Sequence, residues 1–187
     1  MFERVKASIL QFGSFSEAHL QEIISRLKVV QVKKNDCLVK PGQVAREFYF
    51  VNHGCFRQST VLENGTEAIL NLYIENDWLF EYKSFMAQQP AISMICAAED
   101  AEVFELSGFS FHELVKISDG FFRIGRIFEQ ALQHQDYQNN RLSPEEKYTQ
   151  LLAAKPSVLQ KFPLKIIASY LGMTPETLSR VRKKIIS

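Results

Sequence analysis

Near the C-terminal end, Glu176, Ser179 and Arg180 stand three and four residues apart, a spacing that puts them on one side of a helix. Their chemistry is hydrogen bonding to flat polar edges. A guanidinium donates two parallel bonds, a carboxylate only accepts, and a hydroxyl does both. A guanine edge offers the acceptors that Arg180 needs, and a cytosine amine offers the donor that Glu176 needs. Arg182, Lys183 and Lys184 follow as cations suited to phosphate oxygens, contacts that position without specifying sequence. The segment from Gln160 to Ser187 carries +5 and residues 1–159 carry −4. A basic segment on an acidic body fits a module that meets a polyanion. Basic residues at a helix end also simply favour the helix dipole, so charge alone decides little.

Those side chains need a particular pair of helices behind them. The segment reads LKIIASYLGMTPETLSRVRKKI. Two short helices that cross steeply need a small residue where they touch, and Ala168 supplies it. The turn between them needs a residue tolerant of positive φ, and Gly172 supplies that. Leu178 and Val181 face back from the second helix, and Ile167, Leu171 and Met173 complete a shared core. Thr174, Pro175 and Glu176 make a sound helix start: a hydroxyl cap, proline at the first position, an acid in the first turn. The spacing therefore predicts a helix-turn-helix that meets DNA through Thr174, Pro175, Glu176, Ser179, Arg180, Arg182 and Lys183. The plainer alternative is a helical hairpin packed on the body of the protein.

The rest of the chain divides by periodicity. Residues 14–27 read as a helix, with Leu20, Ile23, Ile24 and Leu27 at helical spacing behind a serine cap. Residues 29–107 read as about seven short strands rich in β-branched and aromatic residues, punctuated by turns such as Pro41-Gly42, His53-Gly54 and Glu99-Asp100. Asn64-Gly65 predicts a tight type I′ hairpin. A short helix over 111–116 and a long one from 118 or 119 to 140 follow. Ser143-Pro144-Glu145-Glu146 carries a capping box and predicts a helix ending before Pro156.

No apolar run approaches the ~20 residues of a membrane-spanning helix, and the start shows no secretory pattern, so a cytoplasmic protein is expected. Cys37, Cys55 and Cys96 form no CxxC and are odd in number; buried reduced thiols are the expectation, with no metal and no cofactor.

The order β-roll, long helix, helix-turn-helix resembles the bacterial Crp/Fnr regulators, relatives of the catabolite activator protein. Pro41-Gly42, the run Phe48 to Val51 ending at Gly54, Asn64-Gly65-Thr66-Glu67 and Asp77 sit in that family's places, and Glu176-Thr177-Leu178-Ser179-Arg180 matches its reading segment. The resemblance implies an α+β fold: an N-terminal helix and jelly-roll-like β-roll, a long dimerisation helix and a C-terminal helix-turn-helix bundle. It implies a sensor domain over 1–117, a dimerisation helix and linker over 118–142, and a DNA-binding domain over 143–187. It also implies that Glu176 and Arg180 read bases in a non-enzymatic transcriptional regulator. Pro175 stands where many members carry another base-contacting arginine, which implies a different operator. No β-hairpin wing follows the last helix before Ser187, as in short members from Bacteroidetes-type bacteria, which implies fewer backbone contacts to DNA.

Members that bind cyclic AMP cradle its phosphate with a Gly-Glu pair and an Arg-Ser/Thr-Ala group. Here Phe80 replaces the glycine, Glu81 is retained, Ala91 replaces the arginine and Ile92 the hydroxyl residue. Loss of an arginine–phosphate pair in a partly buried pocket costs roughly 2–5 kcal/mol, so cyclic AMP is not expected in the usual mode. Phe80, Glu81, Tyr82, Ala91 and Ile92 would line a more apolar pocket for another effector, or belong to roll core. A cyclic-nucleotide-responsive regulator is the first rival. A cupin-type metal enzyme is a remote one, since His53 alone of the four histidines falls among the strands. A protein-interaction module that has lost DNA binding is a third.

Phe121, Ile124, Phe128, Ala131 and Gln135 follow a three-four spacing along the long helix and offer a homodimer seam. Two reading helices related by a two-fold axis would meet a near-palindromic operator on double-stranded DNA. A small-molecule effector and RNA polymerase would be further partners of such a regulator.

Overall fold

The run Phe48-Tyr49-Phe50-Val51 has no polar alternation, so a strand made of it must be buried on both faces. The computed structural model describes residues 1–127 and 142–186 and builds that arrangement. β3 (Glu47–His53) lies within an antiparallel sheet of order β1-β8-β3-β6, with β1 at Lys28–Val32, β6 at Trp78–Leu79 and β8 at Ala101–Ser107. A second antiparallel sheet has the order β2-β7-β4-β5, from Cys37–Val39, Met94–Ala97, Phe56–Val61 and Glu67–Tyr73. Tyr49, Val51, Leu79 and Val103 meet Phe56, Tyr73, Ile95 and Ala97 inside the roll. Phe48, Phe50, Phe104 and Leu106 point the other way, into a helical layer.

That layer is made by α1 (Glu3–Gln11), α2 (Glu17–Ile24) and α4 (Gly108–Ile117). Val5 and Ile9 of α1 are wholly buried, and the Trp78 indole N–H donates to Ser8 Oγ at 2.9 Å. α2 starts where its cap predicts, with Ser16 Oγ accepting from the His19 N–H. α3 (Tyr82–Ala87) is a single short helix between β6 and β7, in a stretch where the sequence reading expected only strands and turns.

Several expectations change. The hairpin at 62–66 is not type I′: Gly65 has φ +78°, whereas Asn64 is absent from the positive-φ residues. Bonds from Gly65 N to Leu62 O and from Leu62 N to Thr66 O close a loop one residue longer, in which a single left-handed position suffices. Asp119–Gly125 is a 3₁₀ helix rather than the first turns of a long α-helix. Ser118 Oγ accepts from Gly120 N, and i, i+3 spacing stacks Phe121 over Ile124. Both are buried in the roll's own helical layer, at 0% and 2% exposure, so they do not face a partner subunit as the seam required. The other seam residues, Phe128, Ala131 and Gln135, lie outside the described residues. Cys37 and Cys96, expected as reduced thiols, form a disulfide. They are 59 residues apart in sequence but directly paired between β2 and β7, with Cα atoms 3.9 Å apart. Cys55 is free and buried.

After residue 142 come α5 (Pro144–Ala154), α6 (Val158–Lys161), α7 (Leu164–Tyr170) and α8 (Pro175–Ile186). The capping box of α5 is complete: Glu146 N donates to Ser143 Oγ, and Ser143 N donates to Glu146 Oε2. These helices share a core with the second sheet, in which Cys55, Ile69 and Leu72 meet Val158, Phe162, Ile167 and Tyr170. Polar ties reinforce it. Lys155 pairs with Asp77 at 2.8 Å, and Lys161 pairs with Glu75 and, at 3.2 Å, with Glu99. Burial alone would raise Glu75, but bonds from Lys161 and the Gly54 N–H hold it below its ordinary value of 4.5. Burial alone would lower Lys161, and the two carboxylates hold it above 10.5.

The stability from Glu75 is therefore present above its unfolded-state pKa and lost as pH falls through the depressed folded value. That from Lys161 is present below 10.5 and lost as pH rises through the raised one. Lys161→Ala is expected to cost about 1–2 kcal/mol in urea melts at neutral pH, between the values of exposed and buried pairs. Its stability should fall less steeply than that of the unaltered chain below about pH 5.

Candidate functional site

The turn between α7 and α8 begins with chemistry that ends a helix. Gly172 adopts φ +64°, its N–H donates to Ser169 O, and Met173 N donates to Ala168 O. This is a Schellman closure, which a left-handed glycine makes at little cost. Ala168 is wholly buried among Ile167, Leu171, Leu178 and Val181. The buried ammonium of Lys147, on α5, donates to Leu171 O at 3.2 Å. A cation thus meets the carbonyl end of α7, where the helix dipole favours it. The sequence reading missed Lys147; its position one turn before Leu151, on the buried side of α5, was the available signal. It also missed Ser169, whose Oγ accepts from the Ile69 N–H of β5 at 3.2 Å. That donor lies on the open edge of the second sheet, where an unpaired N–H needs a partner.

α8 starts on Thr174, whose Oγ1 accepts from Thr177 N at 3.2 Å, with Pro175 next in the chain. Leu178 (0%) and Val181 (4%) bury one face. Thr174, Pro175, Glu176, Ser179, Arg180 and Lys183 are exposed, and Arg182 is half-buried. Glu176 is held below its ordinary value by its own backbone N–H and by Thr174, so at neutral pH it is an acceptor. Arg180 Nη2 lies 3.4 Å from Thr177 Oγ1. It edges a hollow of about 290 Å³, together with Pro144, Glu145, Thr177, Val181 and Lys184. Lys184, one of the cations expected at phosphate, pairs with Glu145 at 3.2 Å.

The structure treats the five expected ligand residues unequally. Phe80 is 3% exposed and packs against Phe48, Tyr82 and Phe85. Ala91 is buried, its N–H bonded to Gln43 O and its carbonyl to Gly42 N. Tyr82 is half-buried, and Ile92 is 68% exposed. Glu81 is 4% exposed and caps α3, with Oε2 accepting from Ser84 N at 2.6 Å and Oε1 from Ser93 Oγ at 3.1 Å. Ser93 Oγ also accepts from Gln58 Nε2, and Gln58 Oε1 accepts from Tyr73 OH. Both oxygens that would meet a ribose are thus engaged within the protein. A hollow of about 430 Å³ lies elsewhere, lined by Arg46, Phe85, Met86, Phe109, Phe111 and His112 among others, without Glu81.

Residues 29–118 match the family model described as cyclic nucleotide-binding domain. No curated protein matches the chain by sequence. Among solved structures it is similar to FixK2 from Bradyrhizobium japonicum, with TM-score 0.73 and 18% identity over 86% of this chain and 84% of that one. It is similar to the c-di-GMP responsive global regulator CLP of Xanthomonas campestris, with TM-score 0.66 and 16% identity over 91% and 92%. It is similar also to the Thermus thermophilus catabolite activator protein, with TM-score 0.59 and 17% identity over 96% and 86%. The part of the chain similar to a cyclic nucleotide-binding domain is the roll with α4, and a helical unit follows it after residue 142. Among the described residues, the fold is like that of these three solved structures.

Ala168→Leu places three extra heavy atoms where the helices touch. It is expected to cost about 1–3 kcal/mol in denaturant melts, as overpacking of a closed contact does.

Proposed function

We propose that this chain is a sequence-specific DNA-binding transcriptional regulator of Crp/Fnr type, that it acts as a homodimer, and that its roll does not take cyclic AMP in the usual mode. One observation carries the reading. α8 is fastened along one face by Leu178 and Val181, while Glu176, Ser179 and Arg180 stand together in solvent on another. A helix held this way can enter a major groove with donor and acceptor already aimed at base edges. The domain boundaries follow the same logic: a sensor over 1–117, a connecting helix over 118–142, and a helix-turn-helix unit over 143–187. Of the seam residues, Phe128, Ala131 and Gln135 remain for dimer contact. Two copies would present α8 to successive grooves about 34 Å apart.

The remote enzyme reading loses ground on one point: the His53 side chain is 72% exposed and points out of the roll. Among the described residues, no helix is long and apolar enough to cross a membrane.

Selection of bound sites from random duplex DNA is expected to return a near-palindrome, and ultracentrifugation a dimer at micromolar concentration. Arg180→Ala should weaken the selected site about tenfold to a hundredfold and relax one position of each half-site, since a bidentate base contact is worth about 1–3 kcal/mol. Lys183→Ala should weaken all duplexes alike and reduce the salt slope by about 1. No preference among duplexes, or a monomer, would overturn the proposal. Calorimetry with cyclic AMP and cyclic GMP is expected to show no micromolar binding; binding would overturn the reading of Phe80 and Ala91.

A further inference from the structure

β2 is three residues long and lies at the edge of its sheet, paired to β7 through two residue pairs, Cys37↔Cys96 and Val39↔Ile95, with an irregularity between them. So short an edge strand is held weakly by its ladder. The disulfide falls on one of those two pairs. What β2 carries is the segment that packs over Ala91, Ser84 and Glu81. Gly42 N donates to Ala91 O, Ala91 N donates to Gln43 O, and Val44 bridges Pro90. Ala45 N then donates to Ser84 Oγ at 2.9 Å, and Ser84 N donates to Glu81. A continuous path therefore runs from the two sulfurs, through β2 and residues 40–45, to Ala91, Ser84 and the buried carboxylate of Glu81.

The two sulfurs are unequal. Cys37 is half-buried, and Cys96 is 2% exposed. Cys55 is 1% exposed, and burial, then the neighbouring Glu99 carboxylate, pushes its thiol up to about 12. Exchange begins with a thiolate that a partner can reach, which selects Cys37 for entry, Cys96 for resolution, and leaves Cys55 inert.

We propose that Cys37 and Cys96 are a reversible thiol–disulfide site that sets how firmly β2 and residues 40–45 close over Ala91, Ser84 and the buried Glu81. The co-reactant is a low-molecular-weight disulfide of the glutathione class. The Cys37 thiolate attacks one sulfur of that disulfide and forms a mixed disulfide, releasing one small thiolate. The Cys96 thiolate then attacks the Cys37 sulfur and releases the second. Two protein thiols are oxidised, two small thiols are formed, and the two protons given up by the cysteines end on those thiols. Excess small thiol runs the steps backward.

The test uses the full chain equilibrated with oxidised glutathione or with dithiothreitol, then denatured in acid, alkylated and weighed. One alkylated cysteine is expected after oxidation and three after reduction. Amide hydrogen exchange over residues 37–45 is expected to run at least tenfold faster in the reduced chain, an opening confined to this segment. Cys37→Ser should exchange at the reduced rate under both conditions. The unaltered chain compared with itself answers the question even if that variant folds poorly. Three alkylated thiols after oxidation, a persistent glutathione adduct, a bond that dithiothreitol cannot open in the folded protein, or equal exchange rates in the two forms would each overturn the proposal.

Discussion

The second sheet, with Cys55 just before β4, carries Ile69 and Leu72 into the shared core and ends in an open strand edge at β5. Neither can be left to water: the apolar side chains are worth about 1.5–3 kcal/mol each when buried, and an open edge invites foreign strands. The C-terminal helices cover both. Val158, Phe162, Ile167 and Tyr170 meet the apolar residues, and Ser169 accepts the edge N–H of Ile69. Covering that surface fixes α7 against the roll, and the closed turn at Gly172 then fixes α8 against α7. The stance of Arg180 in solvent is the last link of this sequence of contacts.

Two kinds of polar contact hold the arrangement. Lys155 and Lys161 lie about a quarter exposed, paired with carboxylates at the roll's rim. Lys147 is buried and meets a carbonyl rather than a carboxylate. A buried ammonium without such a partner would be strongly unfavourable, so α5, α7 and the turn form one unit. The roll has its own version in Glu81, whose two oxygens knit α3 to Ser93. Phe80, Glu81 and Ala91, three of the five residues expected at a ligand, are part of the packing in this protein.

Local rules made much of this visible in the sequence. The α5 capping box, the Thr174-Pro175 start, the Ala168 and Gly172 pair and the two-faced run at β3 each follow from neighbours within a few residues. What stayed hidden depends on partners far along the chain. Val5, Ser8, Ile9 and Phe12 have helical spacing, yet only Trp78 and the outer face of the first sheet explain why α1 stays docked. The Cys37–Cys96 bond depends on strand register, which spacing does not encode. Glu81 looks like a loop residue until α3 is seen to start on it. Phe121 and Ile124 carry a stripe that suits a partner helix or the chain's own core equally well; the 3₁₀ winding, set by Ser118 and Gly120, turns them inward.

β5 is paired to β4 through a ladder whose register shifts between Gln58 and Ser59. That irregularity decides which residue of β5 offers its N–H to Ser169. In a sheet, a slip of one residue exchanges the two faces. The hairpin thus works as the molecule's protractor: the bearing of the last helix is written in the pairing of two strands about a hundred residues upstream, and length changes there would re-aim it without touching any residue of α8.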